Sequence, residues 1–159
     1  MTLAWGRRSE AEIAEVVGLA REAIEAGKDD PDVLWMAGFT LLVLAGEHAT
    51  ADSVITRTLA LNPNSFHAWI TRGWVSAFRN EPGPAIEALQ RALRLNPLDP
   101  LDFRVAAGLG FAHLVAGQYE EAMQWVDRTL REQPRYTVAV RMKVVLCVHL
   151  ERIEEARAK

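Results

Sequence analysis

"RTLALNP" at residues 57–63 and "RALRLNP" at residues 91–97 are near-copies of one phrase, and their closing prolines, Pro63 and Pro97, stand 34 residues apart. The same separation relates Trp35 to Trp69, Ala51 to Ala85 and Leu59 to Leu93. Unrelated side-chain types recurring together at one interval mark a chain built from repeated units. A third copy follows at a longer interval, since Pro97 to Pro134 is 37 residues. The three extra residues fall in "NPLDPLDF" at 96–103: Pro63 to Trp69 spans six residues, whereas Pro97 to the corresponding Ala106 spans nine.

Each unit reads as helix, turn, helix. "SEAE" at 9–12 has a hydroxyl at Ser9 and a carboxylate at Glu12 three residues on, a capping box that opens a helix over 9–27. Gly27 is expected to end it in the left-handed conformation that glycine tolerates. Asp30 then stands at an N-cap with Pro31 at the first helical position, where a missing N–H costs nothing. That second helix should run to about Gly46, with further helices near 48–62, 65–79, 83–96, 100–116, 119–133 and 135–150.

The recurring small residues predict where helices touch. Ala51, Ala85 and Ala122 mark close approach of the second helix of a pair to the first, and Gly46, Asn80 and Gly117 mark the turns, where larger side chains would push the helices apart. Gly73 and Gly110 lie inside first helices, accepting a propensity cost of roughly 1 kcal/mol each in exchange for tight packing. Trp35 and Trp69 are expected to fill space between helices.

Bulk properties exclude several classes. Half of the 159 residues are apolar and a quarter charged, so the chain can fold, and a net charge of −3 with interspersed signs offers no basic stripe for nucleic acid. The apolar run Val144–Leu150 is too short to span a bilayer, and "MTLAWGRRSEAE" lacks the apolar stretch of an export signal. These features give no membrane partner and a cytoplasmic setting as the expectation. The lone Cys147, in "VVLCVHL", reads as a buried thiol.

The W-x(3)-G spacing and the Gly, Ala and Pro set at fixed offsets over residues 30–134 resemble the tetratricopeptide motif. The resemblance implies an all-α fold, a right-handed superhelical array of antiparallel helix hairpins, with full repeats at 31–64, 65–98 and 100–135 in one domain over 1–159. Partial repeats flank them at 9–29 and 136–159, where "LERIEEARA" at 150–158 resembles "AGQYEEAMQ" at 116–124. The chain is therefore expected to be a segment of a longer protein. The "RLNPLDP" phrase and its extended loop are similar to the C-terminal tetratricopeptide region of bacterial multidomain proteins, many headed by a class III adenylate or guanylate cyclase domain, others by a winged-helix domain. That likeness implies a non-catalytic interaction scaffold, the regulatory or partner-binding tail of a bacterial signalling protein. The alternative parents are a nucleotide cyclase or a winged-helix transcription regulator. The metal-binding aspartates of a cyclase have no recognisable counterpart in this chain, so no enzyme activity or cofactor is expected of it.

In that family the concave groove is lined by set positions of each first helix, which carry over to Met36, Thr40, His67, Ile70, Trp74, Phe78, Arg104, Phe111 and Val115. The implied groove is apolar and aromatic. Clamps for a peptide carboxylate place lysine and asparagine where this sequence has Met36, Thr40, Ile70, Trp74, Ala107 and Phe111, which disfavours that ligand. Trp74, Phe78 and Phe111 suit an apolar or amphipathic helix of a partner protein, a neighbouring helix of the intact protein, or a second copy of the chain.

Catalytic and metal chemistry find little footing. His48, His67, His113 and His149 include no i, i+3 or i, i+4 pair, so no metal site is expected. No G-x-S-x-G elbow or glycine-rich phosphate loop occurs. Arg72 stands where the family carries a packed leucine, and is expected to snorkel or to pair with Glu47 or Asp52.

Overall fold

A computed structural model describes residues 9–96 and 102–151. Eight α-helices run through them: α1 (Glu10–Ala26), α2 (Pro31–Thr40), α3 (His48–Leu61), α4 (Phe66–Phe78), α5 (Pro82–Leu95), α6 (Asp102–Val115), α7 (Tyr119–Glu132) and α8 (Thr137–His149). A π-helical turn, Leu41–Ala45, extends α2. No strand occurs among the described residues. The chain divides into two compact units, Met1–Thr71 and Arg72–Lys159, the division falling within α4. Residues 97–101, which carry most of the extra inter-repeat length, and 152–159, which carry most of "LERIEEARA", lie outside the described residues.

In the first unit the capping residues act as their chemistry dictates. The Ser9 hydroxyl accepts from the Glu12 N–H at 3.2 Å, and the Glu12 carboxylate accepts from the Ser9 N–H at 2.6 Å. Asp30 Oδ1 accepts from the N–H groups of Asp32 and Val33 at 2.9 and 3.3 Å, with Pro31 beginning α2. Gly27 departs from expectation. Its φ of −100° is open to any residue, and the reason for glycine is space: a β-carbon there would lie 2.5 Å from Val33 Cγ1.

The second departure lies inside the first hairpin. Gly38 faces Ile55 of α3, where a β-carbon would meet Ile55 Cδ1 at 3.2 Å. The matching contacts in the second unit are Gly73 with Leu89 and Gly110 with Val126. Each of those pairs is 16 residues apart in sequence, whereas Gly38 and Ile55 are 17 apart. The π-helical turn Leu41–Ala45 sits between them. Trp35 to Ile55 and Trp69 to Leu89 are both 20 residues, so the hairpin has no extra residue: Gly38 stands one position earlier in its repeat than Gly73 does.

The second unit closes around two branched side chains. Leu89, fully buried, faces glycines on two helices: a β-carbon on Gly73 would lie 2.4 Å from its Cγ, and one on Gly108 2.8 Å from its Cδ2. Val126 takes the same place against Gly110, at 2.9 Å. Ala85 and Ala122 are fully buried, as is Ala51 in the first unit, as their recurrence demands. Met123, Val126, Met142, Leu146 and Cys147 complete a core between α6, α7 and α8, and the thiol is sealed inside it.

The turn residues follow the period for a reason other than the one expected. Gly46, Asn80 and Gly117 have φ of 65°, 62° and 74°, and Glu151, 34 residues beyond Gly117, has φ of 57°. No atom lies within 4 Å of a β-carbon built on Gly46 or Gly117. The left-handed backbone, and not crowding between helices, therefore selects glycine there.

Candidate functional site

Four of the expected groove residues, Met36, Thr40, His67 and Ile70, belong to the first unit. Met36 is 56% exposed on α2, and the Thr40 hydroxyl is turned back onto its own helix, donating to the Met36 carbonyl at 2.9 Å. His67 stacks on Trp35 with ring centroids 4.4 Å apart. Ile70, at 5% exposure, belongs to the core and is not presented to a partner. The tryptophans of the repeat are half-buried braces: the Trp69 indole N–H donates to the Pro63 carbonyl at 2.8 Å, joining the start of α4 to the turn before it.

Met36 lines an open apolar cleft of about 370 Å³ between α1 and α2. Val16, Leu19 and Ala20 of α1 face Val33, Met36 and Thr40 of α2 across it, and Asp32 also lines it. Leu19 is 57% exposed. Sequence reasoning missed the contribution of α1, because an exposed leucine in "VVGLA" carries no mark of its own until its neighbour helix is placed.

In the second unit three expected residues do come together. Trp74 lies 5.8 Å from Phe78 and 5.6 Å from Phe111, and Phe78 lies 5.2 Å from Phe111, measured between ring centroids. Trp74 and Phe78 share a face of α4 as an i, i+4 pair. Gly108 makes room beside them, since a β-carbon there would come within 3.3 Å of Trp74 Nε1. Trp74 and Phe111 rest on the core while Phe78 remains 47% exposed, so the cluster is anchored below and open above. Val115 and Arg104 are half-buried on α6. Ala107 is fully buried.

Polar groups nearby are engaged in holding helices together. His113 Nδ1 and Gln118 Oε1 are 2.7 Å apart across the α6–α7 turn, and Lys143 donates to Asp127 at 2.6 Å between α8 and α7. Tyr136 packs edge-on to Phe103 at 5.2 Å. Burial pushes the Tyr136 phenol above the ordinary tyrosine pKa, against the opposing pull of the Arg104 guanidinium. Glu47, one expected partner of Arg72, pairs with Arg21, and Arg72 itself is half-buried. Among the described residues no three His, Cys, Asp or Glu side chains gather as metal ligands, and no helix is long and apolar enough to cross a membrane.

This arrangement of alternating hairpins with an exposed aromatic cluster defines an all-α, tetratricopeptide-like helical fold. Residues 77–137 match the family model described as Tetratricopeptide repeat. Solved structures agree on the fold: PilW, a widely conserved type IV pilus biogenesis factor, superposes with a TM-score of 0.77 at 17% identity, over 92% of this chain and 66% of that one. MamA from Desulfovibrio magneticus RS-1 superposes with a TM-score of 0.69 at 22% identity, over 92% and 81%. A curated relative, BBSome complex member BBS4 of Mus musculus, is 30% identical over 95 residues, covering 60% of this chain. The chain spans only 18% of the length of that relative.

Proposed function

We propose that the chain is a non-catalytic protein-binding scaffold, and that Trp74, Phe78 and Phe111 form its anchor for an apolar or amphipathic helix. The observation that carries this reading is the cluster itself: three rings in mutual contact, supported by the core, with Phe78 left nearly half exposed. Aromatic side chains in such settings supply most of the energy of protein interfaces. The tetratricopeptide fold supports the same reading. Resemblance through "RLNPLDP" extends it to the partner-binding tail of a larger bacterial signalling protein, whose head would be a nucleotide cyclase or a winged-helix domain.

The test compares the wild-type chain with Trp74→Ala/Phe78→Ala, after far-UV circular dichroism has established that both are helical. The double variant is expected to lose self-association or the binding of a partner protein by at least ~10-fold, equivalent to about 1.4 kcal/mol. Unchanged self-association together with unchanged partner binding contradicts the proposal. Turnover of ATP or GTP by the purified chain would contradict its non-catalytic part.

A further inference from the structure

Glycine is the poorest helix former after proline, yet α6 carries two glycines two residues apart, Gly108 and Gly110. Gly110 has its reason in Val126, the contact that Gly73 makes with Leu89 one repeat earlier. Gly108 has no counterpart in the other repeats. Ala37 and Thr71 stand at the equivalent places of α2 and α4, 71 and 37 residues before it, and both are buried with their side chains accommodated. The repeat period therefore does not call for glycine at 108, and its reason must lie in what α6 alone faces.

A β-carbon on Gly108 would meet two side chains, Leu89 with its Cδ2 and Cδ1 at 2.8 and 3.1 Å, and Trp74 with its Nε1 at 3.3 Å. Leu89 has no room to withdraw. It is fully buried, and it is also held against Gly73 of α4, where a β-carbon would lie 2.4 Å from its Cγ. Trp74 is only half-buried, so it is the neighbour that must yield. Its indole stacks on Phe111, with 5.6 Å between centroids and 21° between planes, and leans on Phe78 at 5.8 Å. Phe111 follows Gly108 by three residues and so shares its face of the helix. One turn of α6 thus supplies both the ring on which Trp74 stacks and the gap beside which its indole lies.

We propose that Gly108 is the positioning residue of the aromatic cluster: the absence of a side chain there lays the Trp74 indole against Phe111 and gives the cluster the shape it offers to a partner. The inference rests on the reading of the cluster as an anchor. It separates the tasks of two neighbouring glycines, Gly110 closing α6 onto α7 and Gly108 shaping a surface. A methyl group at 108 drives the indole off Phe111. Because Phe78 packs on both rings, a displaced indole also alters the exposed edge that a partner meets.

The test is Gly108→Ala in the full chain, read by the indole N–H resonances of its five tryptophans and by affinity for a synthetic leucine-striped helix about five turns long. The Trp74 resonance and its cross-relaxation with the Phe111 ring are expected to change while the Trp35, Trp69 and Trp125 resonances stay in place. The helix should bind at least ~10-fold more weakly. Far-UV circular dichroism should match wild type, since alanine is the better helix former. Leu89→Val removes the Cδ atoms that the new methyl group would strike, so Gly108→Ala/Leu89→Val should return the Trp74 signals towards wild type and recover most of the affinity. A lesion of the core alone would be deepened, not relieved, by that second change. Unmoved Trp74 signals, equal displacement of all the indole signals, loss of helical dichroism or failure of the rescue overturns the proposal. Displaced Trp74 signals with unchanged affinity, or a wild-type chain that does not bind the helix, overturns instead the reading of the cluster as an anchor.

Discussion

The two units close their hairpins on a common register but with different tolerances. In the second, Leu89 and Val126 press against glycines so closely that even a methyl group would collide, at 2.4 Å on Gly73 and 2.9 Å on Gly110. In the first, Gly38 leaves 3.2 Å to Ile55, and the helix that carries it continues into a π-helical turn. The repeat period fixes which helices pair. How tightly they pair depends on where the glycine falls relative to the branched side chain opposite. The looser unit also has the open cleft, and the tighter one holds the aromatic cluster on its core.

Removing the wedge from the tight unit should have the largest effect. Leu89→Ala empties a site enclosed by glycines on α4 and α6 and should cost about 2–5 kcal/mol in urea unfolding. A loss under ~1 kcal/mol would mean that the two helices collapse onto the alanine and that the close approach is not specific. Next come the glycines themselves. Gly73→Ala should cost about 1–3 kcal/mol through overpacking, whereas Gly38→Ala should change stability by less than ~1 kcal/mol, because better helix propensity offsets a mild contact. Combining Gly73→Ala with Leu89→Ala sharpens the comparison: the smaller side chain opposite should absorb most of the glycine penalty, a coupling of roughly 1–2 kcal/mol. Equal penalties at Gly73 and Gly38 would erase the distinction between the units.

The smallest effect concerns the π-helical turn. Deleting Val43, an exposed residue within it, brings Gly38 and Ile55 to the 16-residue separation of Gly73 and Leu89 and should leave stability within ~1 kcal/mol of wild type. Loss of helical structure on deletion would show that the turn is required for packing in its own right.

Local punctuation made the helices legible. Ser9 and Glu12, Asp30 and Pro31, and the left-handed positions at Gly46, Asn80 and Gly117 all report on backbone groups within a few residues, so sequence spacing suffices to place them. Reasons that depend on a neighbouring helix were misread or missed. Gly27 yields to Val33, a packing fact that mimics a capping signal, and Gly108 answers to Leu89, 19 residues away. The π-helical turn in α2 was hidden because Trp35 and Trp69, Gly46 and Asn80, and Ile55 and Leu89 all keep the 34-residue spacing. The same division holds for the sites. Trp74 and Phe78 were readable as an i, i+4 pair, with Phe111 one 37-residue step beyond Trp74. The burial of Ile70 and the pairing of Leu19 with Met36 required the placement of adjoining helices.

The central claim is that Trp74, Phe78 and Phe111 form the anchor for an apolar helix, and nuclear magnetic resonance mapping with a synthetic leucine-striped helix about five turns long tests it directly. On the wild-type chain, the helix should perturb the Trp74 indole N–H and the ring signals of Phe78 and Phe111 most. Perturbation confined to residues outside this cluster, or no perturbation at all, would contradict the account.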